Sequence, residues 1–250
     1  MAKTIAVTGK GGVGKTTIAA LIIRHLKRHA SGPVLAIDAD PDSNLGTVLG
    51  VDVPETLGDV RESTLAEIRK LPAGMDKAAY IEAGLHETIV ETETVDFLAM
   101  GRPEGPGCYC YVNNLLRGFS DKLLPSYEWM VMDSEAGMEH LSRRTASSLD
   151  YLIVVVNRNP LSIDCARRIG AVITSVHNEV RRKCVLINGV PEEKAHAVLE
   201  KMNGLDMEYL GCIPNDEAIE EMIFAGRSLY DLGDSVATLR MNAVMEKLGA

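Results

Sequence analysis

The sequence predicts an α/β fold, a single domain over residues 1–250 whose mostly parallel sheet of roughly seven to eight strands is covered by helices on both faces. Three observations carry this. Short apolar runs recur along the chain without polar alternation, as strands buried on both faces read. Segments with apolar positions at helical spacing separate most of these runs, the order that right-handed crossovers between parallel strands require. The first strand also passes through a glycine-rich turn straight into the first helix.

That junction comes first in the chain. Ile5-Ala6-Val7-Thr8 is a short run with β-branched residues, Gly9-Lys10-Gly11-Gly12-Val13-Gly14-Lys15-Thr16-Thr17 follows, and Ile18 to His29 has helical periodicity. Gly9 to Thr16 match G-x-x-x-x-G-K-T completely, so the fold expected is that of a P-loop NTPase. The backbone N–H groups of Gly11, Gly12, Val13 and Gly14, and those of Lys15, Thr16 and Thr17 at the start of the helix, can converge on phosphate oxygens, helped by the positive end of the helix dipole. Lys15 would reach the β- and γ-phosphates of a triphosphate, and Thr16 would offer its hydroxyl to Mg²⁺.

After the turn Ser31-Gly32-Pro33, Val34-Leu35-Ala36-Ile37 is a second buried strand, ending in Asp38-Ala39-Asp40-Pro41-Asp42-Ser43-Asn44. Residues 51–93 read as acidic helices and loops with no evident chemistry. Further strands are expected at Thr94–Met100, Trp129–Met132, Tyr151–Val156, Cys184–Ile187 and Tyr209–Ile213, and a terminal helix within Ser235–Ala250. No internal repeat or low-complexity segment interrupts the pattern.

Composition narrows the function. Hydrophobic residues at 46% and charged residues at 24% are those of a soluble globular protein, and no apolar run suffices for a membrane span. The chain runs directly into a strand without a signal-peptide pattern, so the cytoplasm is the expected location. A net charge of −9 speaks against nucleic acid as the main partner, because such binding depends on a basic face. Five cysteines, an odd number, read as reduced thiols and not as a disulfide framework.

The carboxylates follow the strands. Asp133, ending a strand and followed by Gly137, has the form of the second nucleotide motif: the aspartate holds Mg²⁺ through water and the glycine amide meets the γ-phosphate. Asp38 and Asp40 stand at the carboxyl end of another strand, where ligands bind in open α/β sheets. Asp40 is the expected orienter of the attacking water and Asp38 a member of the magnesium shell; an aspartate-rich turn is the plainer reading of the pair.

With the second lysine Lys10 ahead of its paired glycines, the loop resembles that of the deviant-Walker ATPases, which include the septum-site and partition ATPases and the nitrogenase iron protein. The resemblance runs through Lys10, Lys15, Thr16, Asp38, Asp40, Asp133 and Gly137. It implies ATP and ADP as nucleotides and a homodimer that sandwiches two of them. Lys10 would then reach the partner's phosphates and neutralise transition-state charge, where a solvent-screened surface lysine is the alternative. The same similarity puts Asn188 at the adenine edge, with Ile213 and Pro214 beside it, although an asparagine after a strand also serves as a turn former.

Cys108 and Cys110 stand apart from the other thiols. On an extended segment their side chains share one side, about 6.5–7 Å apart at Cα, so both thiolates can meet one ion. A symmetry mate would complete four thiolates on a two-fold axis, suited to tetrahedral Zn²⁺ or square-planar Ni²⁺. Two core cysteines of a strand is the other reading, against which Gly105-Pro106-Gly107 and Asn113-Asn114 suggest a loop. A deviant-Walker ATPase with this Cys-x-Cys, followed by Tyr111-Val112-Asn113-Asn114 and Leu116-Arg117, resembles the CooC-type nickel-insertion accessory ATPases of carbon monoxide dehydrogenase and acetyl-CoA synthase; residues Asp133 to His140 are similar as well. The resemblance implies an ATP-dependent metallochaperone serving a client nickel enzyme. The rivals are an iron–sulfur cluster carrier related to the nitrogenase iron protein and a metal-free positioning ATPase. The terminal segment has only Arg240 and Lys247 as cations and no aromatic anchor, so neither membrane nor nucleic acid is the expected partner.

Overall fold

A computed structural model of the protein describes residues 2–60, 84, 86–93, 95–101, 123–135, 148–175 and 179–250. Seven strands among them form one sheet: β1 (Lys3–Gly9), β2 (Val34–Ala39), β3 (Val95–Ala99), β4 (Trp129–Ser134), β5 (Ser148–Val156), β6 (Glu179–Asn188) and β7 (Glu208–Ile213). Their order across the sheet is β3-β2-β4-β1-β5-β6-β7, and every pairing is parallel. From β1 the chain builds first one side of the sheet and later the other. The connections therefore part above its carboxyl end, where a ligand crevice forms.

The described helices are α1 (Lys15–His29), α2 (Asn44–Leu49), α3 (Pro160–Ser175), α4 (Glu192–Lys201), α5 (Glu217–Phe224) and α6 (Val236–Leu248). Alternation along β1 sends Ile5 and Val7 to one face and Ala6 to the other. On the first face they meet Ile18, Leu21 and Ile22 of α1 and Met241 and Met245 of α6. Ile163, Ala166 and Ile169 of α3 and Val198 of α4 cover the second. Each such buried Ile, Leu, Val or Met side chain contributes about 1.5–3 kcal/mol, so Ile22→Ala would cost about 2–5 kcal/mol once its cavity is counted. α1 closes with Lys27, Arg28 and His29 in its last turn, where cations suit the helix dipole. Ser235 and Thr238 form a reciprocal capping box that starts α6.

Three elements run longer than hydropathy predicts. β5 and β6 begin at Ser148 and Glu179 because their polar residues are satisfied across strands: Arg182 bonds Glu208 at 2.8 Å and Arg181 bonds Asp150 at 3.0 Å. α1 starts at Lys15, one turn ahead of its apolar stripe, since its first residues face the glycine loop and not the core. Among the described residues no helix is long and apolar enough to cross a membrane.

Candidate active site

The loop between β1 and α1 is held from behind by close contacts. A Cβ on Gly9 would lie 2.4 Å from the Val155 carbonyl oxygen of β5, so no side chain fits there. Gly14 has φ +89, and a Cβ on it would lie 2.2 Å from Asn188 Nδ2. On the open side, a Cβ at Gly11 or Gly12 would meet nothing within 4 Å. No side chain caps α1, whose first N–H groups are therefore free for an anion. Lys15 is 8% exposed, and Thr16 and Thr17 are half-buried beside it.

The sheet brings the carboxylates together. Asp38 of β2 lies opposite Asp133 of β4 in the parallel register, with Val7 of β1 on the other side of Asp133. Both aspartates are fully buried. Asp38 accepts the Leu45 amide at 2.8 Å and the Asp40 amide at 3.2 Å. Burial nevertheless lifts its carboxyl to about 6. Neither oxygen of Asp133 finds a hydrogen-bond partner. Burial, and then the Asp38 and Asp40 charges, push its carboxyl to about 7 against the opposing pull of Thr16 and Lys15. Thr16 lies near enough to favour the ionised form, although no hydrogen bond of ordinary geometry reaches either oxygen. Asp40 is half-exposed, and its Oδ1 accepts the Asp42 amide at 3.0 Å.

A buried carboxylate with both oxygens unpartnered, a threonine hydroxyl nearby and an open backbone cradle fit a magnesium nucleotide. Mg²⁺ takes one or two protein oxygens and fills its octahedron with water and phosphate. No group of three or more His, Cys, Asp or Glu side chains among the described residues could hold a metal without such help.

A second feature opens beside the loop. A cleft of about 160 Å³ is bordered by Thr17, Asn188, Ile213, Pro214, Asp216 and Ile219, among others. Asn188 lies in this wall and also donates from Nδ2 to the Val13 carbonyl at 2.8 Å. The Gly189 amide bonds the Ile213 carbonyl at 2.8 Å, joining the two loops of the wall. Sequence reasoning missed the part of Asp216, which accepts the Ala218 amide at 3.1 Å and the Ala237 amide at 2.9 Å and so ties α5 to α6. An aspartate directly before a helical stretch was the available signal.

Lys10 is half-buried where β1 gives way to the loop. Cys108, Cys110 and Gly137 lie outside the described residues. The remaining thiols pack: Cys184 is buried, with its thiol pushed up to about 11 by that burial, and Cys212 bonds the Val190 carbonyl at 2.8 Å.

A parallel sheet with a glycine cradle, the buried Lys15 and opposed buried aspartates at its carboxyl end defines an ATP-binding P-loop NTPase. More narrowly, the chain belongs to the CobQ/CobB/MinD/ParA nucleotide binding domain family, whose model matches residues 4–229. An uncharacterized ATP-binding protein of Methanocaldococcus jannaschii is 41% identical over 233 residues, 92% of each chain. The carbon monoxide dehydrogenase accessory protein CooC of Rhodospirillum rubrum is 30% identical over 98% of this chain and 97% of its own. In fold, the cell division protein MinD of Aquifex aeolicus aligns with TM-score 0.70 at 21% identity, over 100% of this chain and 98% of that one.

Proposed function

We propose that the protein is an ATP-hydrolysing metallochaperone that delivers nickel to a client carbon monoxide dehydrogenase or acetyl-CoA synthase. The observation that carries this is the near full-length similarity to CooC in a chain that also has Cys108-x-Cys110. Here Lys15 and the amides of Gly11 to Thr17 hold the phosphates, and Asn188, Ile213 and Pro214 meet the adenine. Thr16, Asp38 and Asp133 serve the magnesium that screens phosphate charge. Asp133, carrying the freer carboxylate, has more capacity for this than Asp38, whose oxygens already accept two amides.

Hydrolysis then depends on placement. Asp40 orients the attacking water in line with the γ-phosphate, and Lys10 from the second protomer of a homodimer lies against the charge that develops there. The Gly137 amide senses the γ-phosphate. Nickel, or zinc in its place, is the cargo, held by Cys108 and Cys110 of both protomers, and any rotation that ATP imposes on the dimer alters that site.

Metal analysis with sizing tests this in nucleotide-free, ADP and non-hydrolysable ATP states. We expect a nucleotide-dependent dimer with one metal ion per two chains, and loss of the metal with retained ATPase activity in Cys108→Ser/Cys110→Ser. A dimer whose metal content ignores those substitutions rules the cysteine site out. The family's own breadth, which spans MinD and ParA, favours a metal-free positioning ATPase as the second reading, and a metal-free dimer would support it. A brown anaerobic preparation would instead indicate an iron–sulfur carrier.

A further inference from the structure

We infer that Ser43 is a positioning residue for ATP hydrolysis, because its left-handed backbone closes the turn that holds the Asp40 carboxylate in place. The inference rests on the reading of Asp40 as the orienter of the attacking water and adds what fixes that aspartate. Ser43 has φ 46 and ψ 51, and among the described residues it is the only one besides glycine with positive φ. The Cβ makes that region unfavourable, and serine lacks the tolerance for it that glycine and, to a lesser degree, asparagine have. Such a conformation persists only where the surroundings enforce it.

Two anchors enforce it here. The Ser43 amide donates to the Asp40 carbonyl at 2.9 Å, closing a four-residue turn in which Pro41 supplies a fixed φ at the second position. The Leu45 amide then donates to Asp38 Oδ2 at 2.8 Å, so the chain has only Ser43 and Asn44 in which to pass from one anchor to the other. The left-handed step at Ser43 makes that passage. The same turn brings the Asp42 amide to Asp40 Oδ1 at 3.0 Å, and no described residue donates to Oδ2. One oxygen is pinned and the other is left for a water. The Ser43 hydroxyl lies 3.4 Å from the Asp40 carbonyl oxygen, too far to hold the turn, so backbone conformation and not side-chain chemistry is what matters. Asp38 and Leu45 are fully buried, whereas Asp40 and Ser43 are half-buried and Asp42 is exposed. A residue at position 43 that rejects positive φ therefore opens the turn and frees Asp40, leaving the Asp38 anchor intact. Turnover suffers and nucleotide binding does not.

Steady-state phosphate release, with titration of the magnesium complex of a non-hydrolysable ATP, tests this in a series at position 43. Ser43→Gly and Ser43→Asn, which accept the left-handed region, should keep kcat and affinity within about threefold of wild type. Ser43→Val, β-branched and opposed to that region, should lower kcat by about tenfold or more while affinity stays within about threefold. Ser43→Thr keeps the hydroxyl, adds the branch and should behave as the valine variant does, and it carries the test if that variant fails to fold. Asp40→Ala is run beside them. Where Asp40→Ala has lost turnover, three results overturn the inference alone: wild-type kcat in Ser43→Val or Ser43→Thr, an equal loss in the glycine and asparagine variants, or affinity falling in step with kcat. Wild-type turnover in Asp40→Ala overturns the reading of Asp40 and this inference with it.

Discussion

At the amino edge of the sheet, charges are matched, and each pair has an exposed member. Arg182 bonds Glu208 at 2.8 Å, Lys183 bonds Asp206 at 3.1 Å and Arg181 bonds Asp150 at 3.0 Å. At the carboxyl edge, Asp38 and Asp133 are buried side by side, and neither carboxylate oxygen of Asp133 has a hydrogen-bond partner of ordinary geometry. Exposed pairs of the first kind contribute about 0–1 kcal/mol each and let polar strand ends run on without cost. Buried carboxylates of the second kind oppose folding unless something arrives to pair with them. The difference separates residues that finish the fold from residues that we propose are kept for a ligand.

Substitutions at the two edges should therefore differ in kind. The largest effect belongs to Lys15→Ala, which removes the cation proposed to face the phosphates and should cost about 2–5 kcal/mol of ATP affinity. Nucleotide titration reads it directly, and wild-type affinity would dissolve the contrast. Asp40→Ala comes next: we expect ATP binding to persist while turnover falls about 100-fold or more, measured as phosphate release.

The pH dependence of the magnesium- and nucleotide-free protein should sharpen the comparison further. Because the Asp38 and Asp133 carboxyls are raised to about 6 and about 7, the folded chain holds protons that the unfolded chain has already lost. Their contribution to stability is greatest below the ordinary carboxylate range and falls as pH rises through those values. Glu208 runs the other way. Arg182 holds its carboxyl below the ordinary 4.5, so its contribution is present above that value and is lost on acidification. Urea unfolding across pH should show stability declining toward neutrality and a flatter decline in Asp133→Asn. The smallest effect is that of Arg182→Ala, below about 1 kcal/mol, weaker still at high salt and with ATP affinity unchanged.

The parts of this arrangement that lie close together in the chain were legible in the sequence. Gly9 to Thr17 follows a β-branched run and precedes a helical one, so one local pattern contains strand, cradle and helix. Asp38 and Asp133 could each be read as the end of a strand. Their position opposite one another could not, because it depends on β4 entering the sheet between β1 and β2. Asn188 was expected at the base, yet its bond to Val13 spans 175 positions and leaves no local trace. The amino ends of β5 and β6 were missed for a related reason: their charged residues read as loop until the partners Glu208 and Asp150 are brought alongside.

Thermal melting of wild-type protein and Asp133→Asn, each with and without magnesium and ATP, tests the reserved carboxylate most directly. Without ligand, and above about pH 7 where the Asp133 carboxyl is ionised, the variant should melt higher, by about 2–8 °C, since a buried unpaired charge is gone. With magnesium and ATP the wild type should rise well above its ligand-free value, while the variant gains little. A variant that melts lower than wild type without ligand, or that gains as much from magnesium and ATP, would show that Asp133 belongs to the fold and is not held for the nucleotide.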